Sequence, residues 1–184
     1  VMIWDFGLSL EMQEYLHKNN VNVSPPLKHP MNSWFYKPRA MLETPSHKVC
    51  WIDADCEVLQ PLDEIFNYPT DTKMALTKDL VRPMYWATGV NVIKGKPDIL
   101  MRWVERCENN PKGTRGDQEC LGDLIGITDD YIIEMPQEYQ WLRLMLDRGY
   151  DSSDKKIIHW TGPIGKQHIR QRLMNESKIY TNTE

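Results

Sequence analysis

The segment that decides the reading is Lys48-Val49-Cys50-Trp51-Ile52-Asp53-Ala54-Asp55, an apolar run that stops at two carboxylates one residue apart. A continuous run of this kind predicts a buried strand over Lys48–Ile52. Carboxylates at the end of a buried strand can project into a cleft and hold a hard divalent cation through oxygen. Such a cation can bridge a diphosphate and neutralise charge as it leaves. A D-x-D pair also occurs as a plain solvated turn. Here the apolar strand before it and the largely apolar stretch after it argue for a site. A D-x-D-x-[T/V] phosphatase is a second reading of the segment, but Glu57 stands where Thr or Val would, and no partner acidic motif follows.

Outward from this segment, strand and helix patterns alternate. Strands are expected at Val1–Trp4, Val21–Val23, Met74–Thr77, Gly89–Ile93, Tyr131–Ile133 and Lys156–Ile158. Helices are expected after Ser9, which is placed to cap one that stops at Asn19-Asn20, around Pro38, over Pro97–Cys107 and over Gln118–Ile125, with a helical turn at Leu62–Phe66. Strands alternating with helices indicate a layered α/β domain. We expect a mixed, mainly parallel, Rossmann-like sheet flanked by helices. In such sheets ligands lie beyond the carboxyl ends of strands, which points at Asp53–Asp55 and at His159, each directly after an expected strand.

His159-Trp160-Thr161-Gly162-Pro163-Ile164-Gly165-Lys166 is the second feature. A neutral imidazole completes a mixed oxygen and nitrogen shell around Mn²⁺. Glycines let backbone approach phosphate, and a lysine can pair with it. By itself, a lone histidine after a strand is more often structural than a ligand. The third feature, Gly116-Asp117-Gln118-Glu119, is either an ordinary helix start, where Asp is favoured, or a polar face for a sugar.

Composition bounds the rest. The 184 residues suit one domain, and 41% apolar with 26% charged residues is ordinary for a globular protein. A net charge of −4 is the wrong sign for a nucleic-acid-binding surface. Val49–Ile52 is typical of the longest apolar runs and far too short to span a bilayer. The stretch Val1–Gly7 carries Asp5 and no basic n-region of a signal peptide. None of Cys50, Cys56, Cys107 and Cys120 forms a C-x-x-C pair, so free thiols and a reducing, cytoplasmic setting are expected, with two disulfides in a secreted chain as the alternative.

The three features, in this order and spacing, resemble the glycosyltransferase family 8 pattern and its relatives, including transferases coded by large algal viruses. A Gly-Leu-Ser segment (Gly7–Ser9) precedes a helix, and a Lys-Pro basic helix (Lys37-Pro38-Arg39) follows it. Then come the strand with D-x-D, a small-residue strand (Ala87-Thr88-Gly89), the Asp-Gln helix, a loop similar to the pattern's leucine-Pro…Tyr-Asn (Met135–Tyr139) and a late His-x-x-Gly…Lys. The resemblance runs from about Trp4 to Arg170. Ala87-Thr88-Gly89 departs from the usual Asn-Ala-Gly, Glu119 replaces a common Asp, and Gln167 replaces a Pro.

The resemblance implies a GT-A type fold and a hexosyltransferase. It would use a nucleoside-diphosphate donor, UDP-sugar, with Mn²⁺ or Mg²⁺ and a glycan or glycoconjugate acceptor, and retain anomeric configuration. Asp53, Asp55 and His159 would hold the metal, with Asp53 also near the ribose. Gly162 and Lys166 would hold the diphosphate, and Lys37 and Arg39 would face the donor. Thr88, Gly89, Asp117 and Gln118 would line the sugar pocket, with Asp117 and Asp55 as the catalytic carboxylates. The chain 1–184 is expected to be a single catalytic domain lacking an upstream first strand. A sugar-nucleotide-binding domain without turnover is the non-enzyme alternative. Trp34, Trp86, Trp141 and Trp160, among seven tryptophans, are candidates either for core packing or for stacking on sugar.

Overall fold

The strand that organises the molecule is Trp86–Lys94, buried from Trp86 to Ile93 and paired on both sides. The computed structural model describes residues 1–27, 33–109, 116–126, 128, 130–150 and 154–181. In chain order the elements are β1 (Met2–Ile3), α1 (Leu10–Lys18), β2 (Asn22–Val23), α2 (Lys37–Glu43), β3 (Lys48–Ile52) and β4 (Cys56–Val58). They continue with β5 (Met74–Lys78), β6 (Trp86–Lys94), α3 (Asp98–Glu108), α4 (Asp117–Ile125) and β7 (Ile132–Glu134). The last are β8 (Trp141–Leu142), α5 (Arg143–Asp147), β9 (Ile157–His159) and α6 (Gly162–Thr181).

The central sheet has the order β3-β6-β5-β7, and a second sheet has the order β4-β9-β8. β1 and β2 form a separate parallel pair across α1. The Ser9 hydroxyl accepts the Met12 N–H at 3.2 Å to open α1, and the helix ends at Asn19, followed by Asn20 at φ 55°. Side chains alternate across the central sheet as a period of two requires. Met74, Leu76, Trp86 and Ile93 pack with Met41, Leu100, Trp103 and Leu121 of the helices, while Ala75, Val90 and Val92 face Ile65, Tyr139 and Ile157.

The expected mainly parallel sheet is not what forms. Of the pairings in the central sheet, β3/β6 and β5/β6 are antiparallel and only β5/β7 is parallel. The cause is the connection Asp79–Tyr85, which folds β6 straight back on β5. A short loop allows only antiparallel neighbours, because parallel ones need a long crossover. Asp55 and His159 are therefore not delivered to one edge by parallel strands of one sheet. Asp53-Ala54-Asp55 is a tight turn, with the Cys56 N–H on the Asp53 carbonyl at 2.9 Å, and it hands the chain from β3 to β4. β4 then pairs antiparallel with β9, opposing Cys56 to His159.

Two further features bear on function. From Gly162 the chain forms a helix, α6. Trp86 and Trp141 are buried, at 4% and 9% exposure, and belong to the core, whereas Trp34 is exposed. Among the described residues no helix is long and apolar enough to cross a membrane.

Candidate functional site

The site lies at the seam between the two sheets. Asp53 follows β3 and is held there by its own N–H on the Gly89 carbonyl (2.9 Å) and by the Trp51 indole N–H on Oδ1 (2.6 Å). The next carboxylate, Asp55, has Oδ1 at 3.1 Å from His159 Nε2, and its carbonyl accepts the Trp160 N–H at 2.8 Å. Asp53 Oδ2 is 3.9 Å from the same imidazole nitrogen. One donor atom from each of Asp53, Asp55 and His159 lies within 4.8 Å of the others. Two carboxylate oxygens and one imidazole nitrogen suit Mn²⁺ or Mg²⁺ in size and hardness, so the residues present fit a divalent cation.

Lys37 is the counter-charge. It enters at the start of α2, where Pro38 sits in the first turn without costing a backbone hydrogen bond. Its ammonium is 3.0 Å from Asp53 Oδ1 and 3.1 Å from Asp117 Oδ2, and donates to the Thr88 carbonyl at 2.8 Å. Burial pulls the Lys37 pKa down, but Asp117 and Asp53 outweigh it and hold the group well above its ordinary value. Asp117 is raised, chiefly by burial and against the pull of Lys37, while the Thr88 hydroxyl donates to it at 2.9 Å. Burial would raise Asp55 as well. There the His159 hydrogen bond and charge, with the charge of Lys166, prevail and hold it below the ordinary value. Three carboxylates against one ammonium leave the cluster net negative.

Of the residues expected to act together, Asp53, Asp55, His159, Lys37, Thr88, Gly89 and Asp117 are brought together. Lys166, exposed on the second turn of α6, lies close enough for its charge to be felt at Asp55. Gly162 opens α6 at φ +79°, a left-handed conformation that favours glycine. Arg39 turns to Glu108, which accepts from its Nε at 2.7 Å, and to Glu43, instead of toward the cluster. Gln118 is engaged at both ends of its amide: Nε2 donates to Asp79 Oδ2 at 2.9 Å and Oε1 accepts from Arg82 at 2.8 Å.

Sequence reading missed Asp79, Arg82 and Gln140. Asp79 announces itself only as a polar residue that accepts the N–H groups of Val81 and Arg82, both at 2.9 Å. Gln140 immediately follows the Met135–Tyr139 loop, where the resembled pattern has Asn, and that position was the signal available for it. It is 1% exposed and reaches both β6 and His159. All four cysteines are free. Burial pushes the Cys50 thiol up to about 12, so it stays protonated.

No protein-family model and no curated protein sequence matches this chain. Solved structures do. The glycosyltransferase GlyE of Streptococcus pneumoniae TIGR4 superposes with a TM-score of 0.64 at 16% identity, over 88% of this chain and 47% of GlyE. A glycosyltransferase involved in glycosylation of the major capsid of PBCV-1 gives 0.62 at 12%, over 92% of this chain and 98% of that enzyme. The galactosyltransferase LgtC, in complex with donor and acceptor sugar analogues, gives 0.61 at 16%, over 88% of this chain and 76% of LgtC. This chain thus spans about half the length of GlyE but nearly all of the PBCV-1 enzyme. The fold is a mixed α/β one shared with GT-A glycosyltransferases.

Proposed function

We propose that this protein is a metal-dependent, family-8-like glycosyltransferase that moves a hexose from a UDP-sugar to a hydroxyl of a glycan or glycoconjugate, with retention. The single observation behind this reading is the convergence of Asp53, Asp55 and His159 beside the Lys37–Asp117 pair, in a chain with this fold. Asp53, Asp55 and His159 would hold Mn²⁺ or Mg²⁺, which supplies a positive charge for a departing diphosphate. Lys166 would pair with the same diphosphate, with Gly162 letting the backbone approach it. Electrostatic stabilisation of the leaving group would be the main rate-enhancing effect.

On the sugar side, Asp117 is held by Lys37 and the Thr88 hydroxyl, so its free oxygen would orient the donor sugar. Asp55 acts with it only through the metal site. Arg39 and Gln118 are the weakest members of the expected donor set, since both already have partners within the chain. A reducing, cytoplasmic setting accords with four free thiols.

The test is release of free UDP from a panel of nucleotide sugars with Mn²⁺ and with a chelator, beside phosphate release from a generic phosphomonoester. Chelator-sensitive UDP release is expected, with no phosphate from the monoester. Donor binding without turnover would instead make this a sugar-nucleotide-binding domain. Phosphate from the monoester would make it a D-x-D phosphatase.

A further inference from the structure

Gln140 stands where the loop of the resembled pattern has Asn after Tyr, and its side chain is buried at 1% exposure between β6 and His159. Its Oε1 accepts the Val90 N–H at 2.8 Å, which settles the amide's orientation, because only the oxygen can accept from a backbone donor. The other end, Nε2, then points an N–H at His159 Nδ1, 3.3 Å away. A ring nitrogen facing a donor must offer its lone pair. The imidazole proton therefore resides on Nε2, where Asp55 Oδ1 accepts it at 3.1 Å. The chain of bonds has one direction, from Val90 through Gln140 and His159 to Asp55.

We propose that Gln140 is the positioning residue that sets the tautomer of His159, and through it the strength of the metal site. The inference about metal strength rests on the metal-binding reading of Asp53, Asp55 and His159. Nε2 is the ring nitrogen that faces both carboxylates, so it is the one a cation would take. To ligate, Nε2 must give up its proton and Nδ1 must carry one. A protonated Nδ1 would meet the Gln140 amide donor head-on. Turning the amide over would bring its nitrogen against the Val90 N–H and leave that buried donor unpaired.

Nor can the ring swing aside freely. A Cβ on Gly89 would lie 2.4 Å from His159 Nδ1 and 2.7 Å from Gln140 Nε2, so the strand itself packs against both groups. Gln140 thus holds His159 in the tautomer that opposes ligation, and keeps the site a weaker metal binder than its donor set alone would make it. A carboxylate at the same position accepts from both sides, as in the carboxylate–histidine–metal arrangements that strengthen a ligating imidazole.

The test is NMR of the imidazole nitrogens in metal-free, histidine-labelled protein, with the His159 signals assigned by difference from His159→Gln. The wild type should show the proton on Nε2. Gln140→Glu should move it to Nδ1 and tighten Mn²⁺ binding by about tenfold, the scale of outer-shell effects on metal affinity. Gln140→Met, which fits the space without a polar group, should leave a mixture of tautomers and keeps the test available if a buried carboxylate prevents folding. An Nδ1 proton in the wild type, or one tautomer shared by all the proteins, overturns the proposal. If the tautomer moves as stated while the wild type binds no Mn²⁺, the positioning role stands and the metal reading of the site falls.

Discussion

Replacing Lys37 by Met removes the only cation paired with both Asp53 and Asp117 among the described residues while keeping most of the stem's volume. Four polar contacts to three partners go at once: 3.0 and 3.2 Å to the two oxygens of Asp53, 3.1 Å to Asp117 and 2.8 Å to the Thr88 carbonyl. Removing one partner of a buried ion pair costs about 3–5 kcal/mol, because the remaining charge is left uncompensated. The Asp53 side chain is 24% exposed and Asp117 13%, so solvent takes up part of that loss and about 3 kcal/mol is the working figure. For a domain of this length that is a fall in Tm of roughly 6–12 °C.

The pH dependence fixes the sign. The Lys37 pKa is higher in the folded state than its ordinary 10.5, so its stabilisation is fully present below 10.5 and is lost as pH rises through the folded value. Scanning calorimetry of wild type and Lys37→Met in the presence of a chelator reads both effects. Adding Asp117→Asn to Lys37→Met should restore part of the loss, since it deletes one of the stranded charges. A Lys37→Met protein melting within two degrees of wild type would show that the contacts contribute nothing net, and the account of the site's charge balance would be wrong.

Three other outcomes follow from the same geometry. Lys166→Ala should weaken UDP binding by about 1.5–3 kcal/mol, one to two decades, with an unchanged melting curve; unchanged calorimetric affinity for UDP removes Lys166 from the site. Asp55→Asn should abolish Mn²⁺-dependent turnover, and His159→Ala should reduce it less, because water can fill a vacant position; a His159→Ala protein with an unaltered Mn²⁺ titration makes the histidine structural. Gly89→Ala sets a methyl 2.4–2.7 Å from His159 and Gln140, so the ring must move by about 1 Å. Overpacking should cost about 1–3 kcal/mol, and misplacement on this scale about a hundredfold in UDP release. Wild-type melting and turnover together would contradict the packing described.

The elements marked by local chemistry were legible in the chain. β3 lies at Lys48–Ile52 as its apolar run dictates, and Ser9 caps α1 as its side chain allows. Strand direction was not legible, because it depends on which later strand returns alongside. The alternation of strand and helix reads as parallel, whereas the loop Asp79–Tyr85 makes a hairpin. β4, β8 and α5 are three, two and five residues long, too short to carry a period, and exist by pairing or packing with distant residues. The Asp53, Asp55 and His159 trio was visible as types and spacing, although the route that joins it runs through the β4/β9 ladder. Gln140 could not be found from types alone. A glutamine acquires its role only when a backbone donor on one side and an imidazole on the other decide how its amide is turned.

The β4/β9 ladder also bears on how the molecule comes together in time. β9 is the middle strand of its sheet, and its register sets Cys56 against His159 across most of the chain. Contacts of such long sequence separation form late, since closing the intervening loop costs entropy before any contact rewards it. The central sheet and its helices use segments between Lys37 and Glu134 and need nothing downstream to pair. During synthesis the two aspartates leave the ribosome about a hundred residues ahead of the histidine that meets them. A nascent chain can therefore pair its central sheet and still lack the Asp53, Asp55 and His159 cluster until Ile157–His159 slots between its neighbours.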